Sequence, residues 1–383
     1  LSVVDLLAGI GGFGESLWGY LLPFLFVLTV VVFFHELGHF LVARLCGVKV
    51  ETFSIGFGKE IFGWNDRRGT RWKVSWIPLG GYVKFLGDES AASTPDRHRL
   101  AQIPPEQRGG LFYFKPVYQR AAVVVAGPLA NFVLAIVIFA GLYTVVGQVI
   151  VKPVIKTVVE NSAAAEAGFQ PGDRVLSIDG KTIDSFEDMK RIVSISSDVK
   201  LTFVVERGEA DVTLIATPRR QEVKDPFGNV QRMGILGLVP DASEANWHVT
   251  RTDPVTSLGL GVKETWFLVS QTFTYIGRVV SGAEDASQIG GPLTIARVSG
   301  QVASVGFSAL LNLTAILSVS IGLLNLFPVP MLDGGHLLYY AVEVLRGRPL
   351  GEQAQEFGFR IGLALVMMLM VFATWNDLVH LFS

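Results

Sequence analysis

Four stretches of the chain are apolar with little polar interruption, and each is long enough to cross a bilayer, which takes about 20 residues of helix. They cover residues 20–46, 121–146, 307–327 and 358–382. No small-residue cleavage site follows the first, so it reads as a retained span and not a leader. Residues 151–218 show the apolar–polar alternation of a globular domain. Within them a helix is expected from Ser185 to about Ser194, and strands near residues 201–205 and 212–216. Asp179-Gly180 marks a hairpin turn. Residues 254–280 are also apolar, but Lys263, Glu264 and Arg278 interrupt them. They read as an amphipathic helix at the membrane interface and not as a further span. Residues 71–86 alternate weakly around Gly80-Gly81 and read as a hairpin. The pattern predicts an α-helical membrane protein with about four transmembrane helices, a β-hairpin region and one inserted α+β domain. Its divisions fall at 1–147 (two spans and the hairpin loop), 148–220 (the inserted domain), 221–305 (a region with the amphipathic helix) and 306–383 (the last two spans).

Composition agrees with a membrane setting. Of 383 residues, 50% are hydrophobic and 17% charged, and the mean hydropathy is +0.44. A net charge of −2 gives no electrostatic basis for a nucleic-acid partner. The only cysteine, Cys46, excludes a disulfide within the chain. The placement of charge adds an orientation. The loop 48–120 is rich in Lys and Arg (Lys49, Arg67, Arg68, Arg97 and Arg99 among them), whereas no basic residue precedes the first span. By the positive-inside rule that loop is cytoplasmic. The N-terminus and residues 151–218 then lie outside, and Arg346 and Arg348 return to the cytoplasm after the third span.

The first span contains His35-Glu36-Leu37-Gly38-His39. Histidines four apart share a helix face and can share one metal, while the adjacent Glu36 can reach a water at that metal without being a ligand. That arrangement suits hydrolysis, with Glu36 as general base. The alternative is a set of helix polar groups paired within a bundle, but ionisable residues in hydrocarbon are costly and mark functional sites. A catalytic zinc ordinarily has three protein ligands. Asp333, at the end of the third span in Asn325-Leu326-Phe327-Pro328-Val329-Pro330-Met331-Leu332-Asp333-Gly334-Gly335, is expected at the same depth as the histidines. On its own it would read as a turn residue before Gly-Gly. Gly127-Pro128 in the second span would kink it, which could open a water path or serve helix packing.

HELGH in the first span and NLFPVPMLDGG in the third, with FSIGFG at 53–58, IPLGGYVK at 77–84, AGPLAN at 126–131 and GFRIG at 358–362, resemble the site-2 protease family of intramembrane zinc metalloproteases. The likeness is greatest to the bacterial regulator-of-sigma-E protease branch. It extends over nearly the whole chain. It implies Zn2+ held by His35, His39 and Asp333, with Glu36 as base and Asn325 near the substrate backbone. It also implies that the Gly80-Gly81-Tyr82-Val83 stretch belongs to a membrane-dipping hairpin whose edge pairs with an unwound substrate. The residues alone leave a plain cytoplasmic β-turn equally open. Residues 167–180 look like the core of one PDZ domain, where some relatives have two. Such a domain either senses or excludes substrates, or is a spacer that stabilises the bundle. Implied partners are the lipid bilayer and single-span substrates, such as anti-sigma factors and remnant signal peptides. The implied location is a bacterial inner membrane, with the N-terminus and PDZ-like domain periplasmic and the active site near the cytoplasmic side. Two other functions fit the residues less well. A transporter would spread ionisable residues over several spans with repeat symmetry, and none is evident. An inactive scaffold would lack Glu36 or a ligand.

Overall fold

A computed structural model describes residues 3–87, 105–224, 230–243, 245–282 and 290–382; Arg97 and Arg99 of the orientation argument lie outside the described residues. The chain forms two compact units, Gly141–Ser257 with Phe273–Gln288 being one and the remainder the other.

Helix α1 (Val3–Leu45) is apolar around its circumference through Trp18–Leu45 apart from His35, Glu36, His39 and Arg44, as a membrane helix with a polar site is. It leads into strands β1 (Val50–Asn65) and β2 (Arg71–Phe85), which pair with each other. This corrects the expected hairpin. Residues 71–86 are not a hairpin in themselves but its second strand, and the turn lies at Asp66–Thr70. Asp66 accepts from the amides of Arg68 (2.8 Å) and Thr70 (3.0 Å), and Arg44 at the end of α1 ion-pairs with it. Register shifts run through the middle of both strands, so that Ile55 faces Gly81 on one side and Val74 on the other. Phe53, Val83, Phe85 and Phe112 pack with Phe40 of α1 into one core, with Phe53 stacked on Trp72 at 4.3 Å. The far half of the hairpin leaves Ile61, Phe62, Trp76 and Leu79 exposed.

Helix α2 (Val117–Val145) is the second candidate span. Beyond it lies the inserted unit. In chain order it comprises β3 (Gln148–Val151), β4 (Ile155–Val158), α3 (Ala163–Glu166), β5 (Arg174–Ile178), β6 (Lys181–Thr182), α4 (Phe186–Ser194), β7 (Leu201–Arg207) and β8 (Ala210–Ala216). There follow β9 (Arg219–Lys224), β10 (Val230–Ile235), β11 (Leu238–Pro240) and β12 (Trp247–Thr250). The central sheet runs β6-β5-β7-β8 over a core of Ile155, Phe169, Val175, Ile178, Met189 and Phe203. Asp179 and Gly180 both have positive φ, as a two-residue hairpin turn requires. A reciprocal capping box between Ser185 and Asp188 starts α4. The unit extends past residue 220, where the sequence suggested a boundary, because β11 pairs with β4 and β12 with β3. Strands of three and four residues carry too little alternation to be seen in advance.

Helix α5 (Pro254–Val280) has the bounds read for the amphipathic segment, with Val255, Leu258, Val262 and Trp266 exposed. Helices α6 (Pro292–Val305), α7 (Phe307–Asn325), α8 (Asp333–Arg346) and α9 (Glu352–Phe382) complete the chain. Helix α7 and Gln353–Val379 of α9 are the third and fourth candidate spans. Gly291 caps α6 without a side chain. Asp377 of α9 substitutes, accepting from the amides of Gly291, Leu293 and Thr294 at 2.8, 3.0 and 3.2 Å and from the Thr294 hydroxyl at 2.7 Å. Four donors make a buried carboxylate tolerable among apolar helices.

In the inserted unit, Asp173 is fully buried. It accepts two hydrogen bonds from Arg207 (2.7 and 2.8 Å) and one from the Gln170 amide (2.9 Å). Burial pushes its pKa up, but Arg207 and Gln170 outweigh that and hold it below the ordinary carboxylate value. The pair therefore contributes stability above about pH 4 and loses it as the pH falls toward the lowered folded value. Arg207→Ala should cost about 3 kcal/mol at neutral pH, by leaving a buried charge unpaired. Hydrogen exchange of the β5 and β7 amides in the full-length protein should then quicken about a hundredfold, and the difference from wild type should shrink in acid. Unchanged exchange would show that the pair is not a stability determinant.

Candidate metal centre

Helix α1 places His35 and His39 one turn apart, and the third group comes from the first residue of α8. His35 Nε2, His39 Nε2 and Asp333 Oδ2 lie within 4.8 Å of one another. The separations are 3.2 Å between the two imidazoles, 3.2 Å from His35 to Asp333 and 3.5 Å from His39 to Asp333. Ligands about 2.0–2.1 Å from a tetrahedral zinc stand roughly 3.3 Å apart, so the three atoms already have the spacing of a shared ion. Asp333 Oδ2 is buried and receives no hydrogen bond among the described residues, an orphan that a cation would satisfy. The residues fit zinc.

Two glycines let the helices close on this cluster. A Cβ on Gly38 would run into the Ala126 carbonyl and the Ala130 side chain of α2, and one on Gly127 would overlap the His39 imidazole. Each helix therefore gives up a side chain where the other comes nearest. His39 donates from Nδ1 to the Val123 carbonyl at 2.8 Å, which leaves Nε2 for the metal. Asp333 is held by a tight return after α7. Cβ atoms on Gly334 and Gly335 would strike the carbonyls of Leu326, Phe327 and Val329, and Met331 takes φ +95°, strained backbone beside the site. Gly358 and Gly362 of α9 press against Tyr339 and the Pro330 carbonyl and so back the loop.

A cavity of about 270 Å³ opens on the cluster. Glu36, Asn325, Gly81, Tyr82 and Val83 all line it, so the residues expected around the reacting peptide, Gly80 excepted, meet in one space. The Val83 amide is within hydrogen-bonding reach of the Glu36 carboxylate, and a Cβ on Gly81 would be 3.4 Å from Glu36 Cγ. Gly80 is not among the lining residues. It has φ +135°, and a Cβ there would meet the Phe57 ring at 2.7 Å, so it serves the bend of the strand.

The family model described as Peptidase family M50 matches residues 23–369. The chain belongs to peptidase family M50. Its relatives include an Agrobacterium fabrum protein named "Putative zinc metalloprotease", 51% identical over 94% of this chain and 96% of its own. Metalloprotease MmpA of Caulobacter vibrioides is 42% identical over 94% of this chain and 95% of its own. A solved PDZ domain of an SdrC-like protein from Listeria monocytogenes aligns with 23% of this chain and 85% of its own, at 15% identity and a TM-score of 0.18. This M50 protein is thus a zinc metalloprotease, and its four apolar helices make it a multi-pass membrane protein.

Several groups around the M50 site had no role in the sequence reading. His336 and Tyr340 share the Asp333 face of α8 and line the cavity. Burial pushes the Tyr340 phenol up to about 12, which keeps it a hydrogen-bond donor. Arg120 lies over the Tyr340 ring at 4.8 Å and bonds Glu343 at 2.6 Å, tying α2 to α8. The i, i+3, i+7 spacing of Asp333, His336 and Tyr340 was the available signal. The Arg120–Glu343 pair joins residues far apart in sequence and left none. The contact at Gly127 is directly testable. Gly127→Ala should displace the His39 ring and weaken zinc binding by about tenfold in chelator competition, the usual scale for losing support around a ligand. Wild-type affinity would show that the ring does not depend on that glycine.

Proposed function

We propose that the chain hydrolyses peptide bonds inside the membrane-spanning segments of single-span proteins, with His35, His39 and Asp333 holding zinc and Glu36 acting as general base. The observation that carries this reading is that the three ligand atoms, Glu36, Asn325 and strand residues Gly81–Val83 border one cavity. Zinc bound there supplies Lewis acidity to the attacking water and to the scissile carbonyl. Glu36 accepts the proton of that water and returns it to the leaving amine nitrogen as the C–N bond breaks. The Val83 amide steadies the carboxylate between these transfers. A transmembrane substrate must unwind first, because a helix hides its peptide groups, and the freed groups need partners in a dry site. Backbone at Gly81–Val83 and the Asn325 carboxamide, both donor and acceptor, supply them. The exposed apolar half of the hairpin suits a strand that dips into the bilayer. Substrates of the anti-sigma-factor type and remnant signal peptides meet the single-span requirement.

Two variants separate ligand from base. Glu36→Gln should keep about one zinc per chain and lose cleavage of a tagged single-span substrate in membranes. Asp333→Ala should lose both, since two histidines are one ligand short of the usual catalytic set. Loss of zinc in Glu36→Gln, or tight zinc with full turnover in Asp333→Ala, contradicts the assignments.

The basic loop 48–120 supports a cytoplasmic position for the hairpin and a periplasmic one for the inserted unit, in a bacterial inner membrane. There the unit restrains cleavage of substrates not yet trimmed outside. Ser185 holds the cap of α4, so exposed Lys181 is the better place for a label. In a Cys46→Ser background, Lys181→Cys should react with an impermeant maleimide in spheroplasts with intact inner membranes. Reaction only after lysis would invert the topology.

A further inference from the structure

His35 and His39 differ in what holds their second nitrogen. His39 Nδ1 has a backbone acceptor, the Val123 carbonyl, whose identity no substitution changes. His35 Nδ1 faces a side chain, the Asn131 amide, at 3.3 Å. Asn131 lies two helical turns beyond Val123 on α2 and is fully buried. Its backbone carbonyl accepts from Ser318 of α7 at 2.9 Å, and a Cβ on Gly322 would be 3.0 Å from its own Cβ, so α7 holds it against α1. In the structure the amide nitrogen faces His35, and Oδ1, buried, receives no hydrogen bond among the described residues.

That orientation and the ligand role of His35 cannot hold together. A neutral imidazole that gives its Nε2 lone pair to a metal carries its proton on Nδ1 and needs an acceptor there. The two ends of a carboxamide are nearly equal in size, and a half-turn about the Cβ–Cγ bond exchanges them. It brings Oδ1 to Nδ1, which pairs both the imidazole proton and the orphaned oxygen.

We infer that Asn131 is the positioning residue of the metal centre: its carboxamide oxygen accepts the Nδ1 proton of His35 and thereby directs the Nε2 lone pair at zinc. The inference rests on His35 being a zinc ligand. Helix α2 then orients both ligand histidines, one through its backbone and one through a side chain, on either side of Gly127.

The test measures zinc affinity of the full-length protein in detergent, by competition with a chromophoric chelator. Variants are Asn131→Asp, which keeps an acceptor, Asn131→Leu, which removes it at similar volume, and Ser318→Ala, which loosens the Asn131 backbone without touching its amide. His35→Ala is the control for the underlying reading. Asn131→Leu should weaken zinc 10- to 100-fold, the scale for losing an outer partner of a ligand. Asn131→Asp should bind zinc as tightly as wild type or more so, and Ser318→Ala should stay within about threefold of it. A purely structural role would make Asp at least as damaging as Leu, because it buries a charge between helices, so a tenfold or greater loss in Asn131→Asp overturns the inference. So does wild-type affinity in Asn131→Leu. If Asn131→Leu does not fold, judged by its melting curve, Asn131→Asp decides alone. Undiminished zinc in His35→Ala defeats the ligand assignment instead and is distinct from these outcomes.

Discussion

Everything around the centre follows from the cost of placing His35, Glu36, His39 and Asn131 inside apolar helices. Polar groups taken from water must find partners, and in hydrocarbon those partners can come only from protein or a bound ion. The two imidazoles and Asp333 converge on one point and, among the described residues, leave Asp333 Oδ2 without a donor. The outer nitrogens of both imidazoles meet α2, at the Val123 carbonyl and the Asn131 amide, which requires α1 and α2 to approach more closely than ordinary side chains permit, and Gly38 and Gly127 provide that approach. The polar demand therefore fixes the helix packing.

The same demand explains the return after α7. Asp333 must arrive from a different helix and point back at α1. The chain turns within a few residues at Pro328 and Pro330, accepts strain at Met331, and removes Cβ atoms at Gly334 and Gly335 so that the loop carbonyls can lie against α8. Helix α9 then seals the loop with Gly358 and Gly362. On the other flank β2 closes the cavity with backbone rather than side chains, and the Val83 amide reaches Glu36. Backbone in that position suits a protease whose substrate must be taken as an extended strand.

The spans and the amphipathic α5 were legible because their apolar patterns are long and set by local sequence. His35, Glu36 and His39 were legible from helical spacing, and Asp333 from the shortage of a third ligand. Less local features were not. The pairing of β1 with β2 depends on a register no single strand encodes; the turn between them is local, set by Asp66 and Gly69, but the Gly80-Gly81 signal drew the hairpin to the wrong place. Gly80 proved to relieve a clash with Phe57 while Gly81 borders the cavity, a distinction that only the bend decides. Strands β11 and β12 were missed because their partners, β4 and β3, lie far earlier in the chain, whereas β10 pairs with its neighbour β9, whose charged sequence carries little apolar alternation. Asn131 stood in the AGPLAN stretch without a role until its distance to His35 supplied one.

In the proposed centre one zinc sits between two imidazoles of α1 and the carboxylate that opens α8. X-ray absorption at the zinc edge, on purified full-length protein in detergent, reads the ligand set directly. N/O scatterers are expected at about 2.0–2.1 Å, with the outer-shell pattern of two imidazoles and no sulfur at about 2.3 Å. In His39→Ala the imidazole contribution should fall by half. A sulfur shell, which among the protein's side chains would implicate Cys46 or a methionine, or a zinc environment without imidazole, would contradict it.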